Sequence, residues 1–217
     1  MIGIIVALKS EAQPLIDVLE NPSSTTIAGK SCYLGEISGK KVAVVICGIG
    51  KVSASLTTQA VIDKLGVTSI INYGTCGGTN NTINVCEYYM VDKAFQFDFD
   101  VREIDDVPLG YIQEYDRVFF KANTLDIGLK IQSLATSDRF SKSEIDLKNI
   151  LDNGCYIRDM EGCAVIQTSI SNSIPVYLIK GVTDVYGSGT DGEQFVKNLK
   201  KVCSNFPKII TKLLNAL

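Results

Sequence analysis

The sequence predicts an α/β fold built on a largely parallel but mixed sheet. Three observations predict it. Apolar runs of about five to eight residues, the length of buried strands, recur along the chain. Stretches with helical spacing of apolar residues separate several of these runs, the alternation expected of parallel sheets. Ser38-Gly39 stands between two closely spaced runs, where a hairpin turn and an antiparallel pair fit best.

In chain order, the strand runs are residues 2–8, 32–37, 42–47, 69–73, 88–91, 131–136 and 176–182. Residues 10–20 follow the first run and read as a helix. Residues 51–65 place Val52, Leu56, Ala60, Val61 and Leu65 at helical spacing, and Gly66 stops the pattern. Ser143 caps a helix that begins Glu144-Ile145-Asp146-Leu147. Residues 161–171 form a short helix that ends before Pro175. The last helix starts near Asp191 and carries Phe195, Leu199, Val202 and Phe206, with Pro207 kinking or interrupting it. Residues 95–115 show no clear period and are rich in Asp, Tyr and Phe. Long irregular segments in compact domains tend to be functional or mobile.

The bulk composition narrows the function. A chain of 217 residues reads as one domain, spanning 1–217. A net charge of −3 and the lack of a basic run argue against a nucleic-acid partner. No apolar run approaches the roughly 20 residues that span a bilayer, and no positively charged leader precedes the first strand. The expected location is therefore the cytoplasm, with no membrane partner. The seven cysteines include no CxxC pair, and Cys32, Cys47, Cys76, Cys86 and Cys163 stand in apolar or Gly-rich surroundings. They read as small buried groups in a reducing compartment. No histidine is present, so proton transfer near neutral pH falls to carboxylates or to Lys, Tyr or Cys. No metal or other cofactor is expected.

Two segments suggest a ligand site. Cys47-Gly48-Ile49-Gly50-Lys51 joins a strand to a helix but fits no phosphate-loop template, since Val45 and Val52 occupy positions where Gly and Ser or Thr are needed. It reads as a tight turn that lines a pocket. Tyr73-Gly74-Thr75-Cys76-Gly77-Gly78-Thr79 follows a strand, and its glycines let backbone approach a ligand closely. Three acids add to this. Glu11 follows the first strand, Glu161 opens a helix, and Asp184 ends the strand run from Val176. Carboxylates delivered at strand ends are how open α/β sheets equip a site. Each acid taken singly has a structural explanation as a helix-dipole or turn partner.

Together and in this order, these pieces resemble the purine nucleoside phosphorylase/uridine phosphorylase superfamily, and within it the 5'-methylthioadenosine/S-adenosylhomocysteine nucleosidase family. The resemblance runs along nearly the whole chain. It implies a three-layer nucleoside phosphorylase-like fold with a central mixed, twisted sheet flanked by helices. It also implies hydrolysis of 5'-substituted adenosines, 5'-deoxyadenosine included, by a homodimer. Under it, Glu11 orients water and Asp184 contacts the purine. Phe140 in Ser137-Asp138-Arg139-Phe140 stacks on the base, and Met160 and Glu161 hold the ribose. Ile49, Thr75, Gly77 and Thr183 line the substrate site. The family's phosphorylases carry arginines for phosphate, whereas Lys9-Ser10-Glu11 and Asn72-Tyr73 occupy those places here. Hydrolysis is the better reading. Lys9 and Arg139 leave phosphorolysis open, as does hydrolysis of another 6-aminopurine nucleoside. Phe97-Asp98-Phe99-Asp100 and residues 101–115 depart from the family pattern, so the 5'-group is not fixed by the sequence.

Overall fold

The structure, a computed structural model, describes residues 1–140, 143–187 and 191–217. In chain order its elements are β1 (Ile2–Val6), α1 (Lys9–Ile16), β2 (Glu20–Ile27), β3 (Lys30–Ile37), β4 (Lys40–Ile46), α2 (Lys51–Leu65), β5 (Ser69–Gly78), β6 (Tyr88–Gln96), β7 (Phe120–Lys121), β8 (Lys130–Thr136), α3 (Glu144–Asp152), β9 (Ile157–Asp159), α4 (Gly162–Ser171), β10 (Val176–Val185), α5 (Asp191–Cys203) and α6 (Phe206–Ala216). A single 3₁₀ turn, Gln113–Tyr115, interrupts the irregular stretch after β6.

The sheet is mixed, as expected. Its centre is parallel: β1 lies between β4 and β5, and β5 also pairs with β10. These strands are buried almost throughout, which is why they read as continuous apolar runs. On one flank, β3 runs antiparallel to β4, and the edge strand β2 antiparallel to β3. Ser38 and Gly39, at φ 52° and 71°, make the β3–β4 turn in the left-handed region that tight hairpins require. On the other flank, β6 runs antiparallel to β10, β8 and β9 follow in parallel, and β9 returns to pair antiparallel with β5. Strands β5, β10, β6, β8 and β9 thus close a ring.

Apolar cores fill both faces. On one, Ala54 and Val61 of α2 and Cys163, Val165 and Ile166 of α4 pack on the sheet. On the other, Ala12 and Leu15 of α1 meet Val202, Phe206, Ile210 and Leu213 of α5 and α6. Of the cysteines singled out from the sequence, Cys32, Cys47, Cys76 and Cys163 are free and buried, and Cys86 is half-buried.

Several elements differ from the sequence expectation, the short strands β7 and β9 among them. The first helix ends at Ile16, not Glu20; Pro14 breaks its hydrogen-bond ladder, and reverse-turn bonds at Val18 and Leu19 lead into β2. β2 itself, Glu-Asn-Pro-Ser-Ser-Thr-Thr-Ile, is an exposed edge strand without alternating hydrophobicity, so no periodicity marks it. The Gly-rich segment after Tyr73 is not a loop: β5 runs through Gly78, held by β10 and β9. The C-terminal helix is interrupted near Pro207, as expected, into two helices; the break falls at Ser204-Asn205, with Pro207 in the first turn of the second.

Candidate active site

A cavity of about 610 Å³ opens beyond the C-terminal ends of β1, β5 and β10. This is where open α/β sheets gather ligands. Its walls include all nine residues singled out from the sequence: Glu11, Ile49, Thr75, Gly77, Phe140, Met160, Glu161, Thr183 and Asp184. They come from six separate stretches of chain, joined by the sheet order.

Glu11 sits in the first turn of α1 yet is only 2% exposed. Its Oε2 accepts the Leu8 N–H at 3.0 Å, closing the helix start. Its Oε1 accepts both the Thr75 N–H at 2.7 Å and the Thr75 hydroxyl at 2.6 Å. The helix-start reading is therefore correct but incomplete, since the same carboxylate is clamped across the sheet. Gly74 makes room for it, because a Cβ there would lie 3.2 Å from Glu11 Oε1.

Asp184 lies beside a β-bulge. Val182 pairs with Cys76 and Asp184 with Gly77, so Thr183 is the extra residue. Bulges next to sites re-aim side chains. The Thr183 hydroxyl donates to Asp184 Oδ1 at 2.8 Å. Among the described residues, Asp184 Oδ2 is buried with no hydrogen-bond partner; Arg158 Nη2 lies 3.6 Å away. Burial raises the Asp184 carboxyl to about 6, against the lowering effects of Thr183 and Arg158.

Glu161 precedes α4, and its Oε1 accepts the Gly50 N–H at 2.9 Å. The Cys47–Lys51 turn thus does more than line the cavity with Ile49: its backbone fixes an acid. Burial and the neighbouring Asp159 carboxylate push Glu161 up to about 7, opposed by Lys180 and the Gly50 N–H. Lys180 is 1% exposed in the middle of β10, and its Nζ lies 2.9 Å from Asp159 Oδ2. Burial alone lowers a lysine's pKa, but Asp159, Glu161 and Glu11 outweigh it and hold Lys180 above its ordinary value. Asp159 also accepts the Thr136 hydroxyl at 2.6 Å and the Gly162 N–H at 2.7 Å.

The rest of the wall is mostly apolar, with Arg139 and Arg158 as its charged members. Phe140 is half-exposed and meets Phe195 of α5 edge-on, their centroids 6.4 Å apart. Burial raises the thiols of Cys76, Cys47 and Cys163, so they stand as neutral groups and not as nucleophiles. Among the described residues, no His, Cys, Asp and Glu group could hold a metal ion.

Sequence reasoning missed Arg158, Asp159, Lys180, Asp191 and Phe195. A lysine inside the apolar run Val176–Val185 was the one available signal, since buried charge in a central strand needs a partner. Arg158 and Asp159 fall in a three-residue strand that shows no period. Of the two cations left open for phosphate, Arg139 lines the cavity but is committed to an acid, and Lys9 is not on its wall. Lys9 is exposed, and Arg139 holds Asp146 through Nε at 3.0 Å and Nη2 at 2.5 Å.

The phosphorylase superfamily model matches residues 1–215. A relative in Shewanella halifaxensis, described as a 5'-methylthioadenosine/S-adenosylhomocysteine nucleosidase, is 30% identical over 84% of this chain and 85% of its own. A Helicobacter pylori nucleosidase mutant crystallised with 5'-methylthioadenosine superposes with a TM-score of 0.92 at 21% identity, covering 100% of this chain and 98% of that one. A futalosine hydrolase of the same organism superposes with a TM-score of 0.91 at 21% identity, covering 100% and 97%. At such identities the two structures speak for the fold alone.

Proposed function

Because the chain belongs to the phosphorylase superfamily, we propose that it is a purine nucleosidase. In this reading it cleaves the N-glycosidic bond of 5'-substituted adenosines with water and releases adenine. The observation that carries hydrolysis is the clamped Glu11 carboxylate. Three hydrogen bonds fix it on the cavity wall, a place where an anion would repel phosphate and a neutral water can be oriented. Lys9, exposed and off the cavity wall, supports the same choice, and Arg139, although on the wall, is engaged by Asp146.

The chemistry then follows from the acids. The bond from ribose C1' to the purine breaks through an oxocarbenium-like state, and its electron pair stays on the base. Asp184, raised to about 6 by burial, gives its proton to purine N7, so the base leaves neutral. Water attacks C1' and passes its proton to Glu11. Glu161 accepts ribose hydroxyls and lends negative charge beside the developing cation. Phe140 stacks on the base and Met160 packs on the sugar, while Ile49, Thr75, Gly77 and Thr183 shape the rest of the pocket. Thr75 acts chiefly through Glu11, since both its N–H and its hydroxyl are given to that carboxylate.

The test is adenine release from 5'-methylthioadenosine, in phosphate-free buffer and again with added phosphate. Release at the same rate in both, with free 5-methylthioribose, supports the reading. Strict dependence on phosphate would overturn it in favour of phosphorolysis. A second reading is supported by the futalosine hydrolase likeness: turnover of an aminofutalosine-type nucleoside in preference to 5'-methylthioadenosine would favour it.

A further inference from the structure

We propose that Arg158 and Asp191 form a pair that sets the protonation of Asp184, with Asp191 drawing the guanidinium away so that the Asp184 carboxyl can carry a proton. The proposal rests on Asp184 being the acid of the reaction, and it concerns two residues that act through it.

The geometry is asymmetric. Arg158 Nη2 lies 2.7 Å from Asp191 Oδ2 but 3.6 Å from Asp184 Oδ2, and all three side chains are buried. An arginine fork can bind a carboxylate through two short parallel bonds, which holds that carboxylate ionised. Here the short contact goes to Asp191 on α5, and Asp184 receives the long one. The guanidinium is held from the other side by the Phe140 ring, 5.6 Å from its carbon. Gly77 accommodates this packing, because a Cβ there would stand 2.8 Å from Asp184 Oδ2 and 2.9 Å from Arg158 Nε.

Among the described residues, each neighbouring element contributes to the balance. From β10, Thr183 donates to Asp184 Oδ1. From β5, the Cys76 thiol is neutral, its pKa raised by burial. From β9 comes the Arg158 cation, and from α5 the Asp191 anion. Lys180 and Asp159, both buried, pair with each other. Arg158 lowers the Asp184 pKa and Asp191 raises it, in keeping with the geometry.

The experiment follows the Asp184 carboxyl directly, by the ¹³Cγ shift of labelled aspartate, assigned through the signal lost in Asp184→Asn. It is paired with pH profiles of kcat/KM for 5'-methylthioadenosine. In Asp191→Asn the midpoint is expected to fall by about one unit, and the alkaline limb of the profile with it. At pH 7 this is about a tenfold loss of kcat/KM that lower pH restores. In Arg158→Met the midpoint is expected to rise instead, and Asp191→Glu to return it toward the wild-type value. Unmoved midpoints, or shifts of one sign in both variants, overturn the proposal. Opposite shifts of the carboxyl without movement of the rate profile uphold the pair but remove Asp184 as the acid.

Discussion

Asp184 and Glu11 carry the sharpest expectations at the scale of single residues. One positioned acid or base contributes about 10²–10⁴-fold, so Asp184→Asn and Glu11→Gln should each lower kcat/KM at least a hundredfold. Steady-state adenine release measures this, and near-normal rates in either variant would remove that residue's role. The raised Asp184 pKa also has a stability consequence. An unfolded aspartate titrates near 3.9, whereas burial holds Asp184 at about 6. Between those values the folded state binds more protons than the unfolded one, so stability falls as pH rises through this window. Relative to wild type, Asp184→Asn should therefore gain up to about 3 kcal/mol between pH 4 and pH 8. Urea denaturation at both pH values checks it, and a pH-independent difference would contradict the raised pKa. The three acids were legible in the sequence because each follows a strand run or opens a helix. Their partners were not, since Thr75 and Gly50 meet Glu11 and Glu161 from distant stretches of chain.

Strands β5, β9 and β10 position the catalytic wall at the scale of elements. β5 is central and buried, and its glycines leave space on both faces where side chains of neighbouring elements enter. Gly77→Ala tests that reading. The added methyl group would meet Asp184 and Arg158 at 2.8 and 2.9 Å. One of the two must shift, and overpacking of this kind costs about 1–3 kcal/mol. A loss of kcat/KM of tenfold or more, with the protein still folded by circular dichroism, is the expected outcome; unchanged kinetics would show that the wall yields freely. The same segment explains why the sequence ended this strand at Tyr73. Gly is depleted from strands by propensity, but pairing with strands on both sides overrides propensity in a sheet interior. The edge strand β2 was invisible for the opposite reason: up to the buried Ile27 its residues are exposed and show no apolar period, and backbone bonds to β3 set its register.

The whole molecule shows an apolar surface that the fold alone does not cover. Val52 and Leu56 lie on one side of α2 and are 78% and 54% exposed; Ile49 just before the helix is 56% exposed, and Ile104 is 83% exposed. The Lys51–Asp98 ion pair, 2.6 Å, ties the start of α2 to the segment that leads toward Ile104. Ile49 also lines the cavity, so a partner on this surface would cover the cavity mouth. A homodimer is the expected state, and light scattering should give about twice the 23.6 kDa chain mass. Val52→Asp should halve that mass and weaken substrate binding. A single-chain mass for the unaltered protein at micromolar concentration would count against it.

The sequence by itself determined the α/β class, the mixed sheet, the α2 helix and the acids at element ends. All of these are local signals, carried by hydrophobic period, turn residues and strand-end position, and the order of motifs tied them to one superfamily. The tertiary structure alone decided how the sheet closes through β9 onto β5, and which groups surround each acid. Arg158 meets Asp184 and Asp191, and Lys180 meets Asp159, only when β9, β10 and α5 pack together. Burial and charge proximity are properties of that packing. They give Asp184 and Glu161 proton affinities that no run of residues encodes.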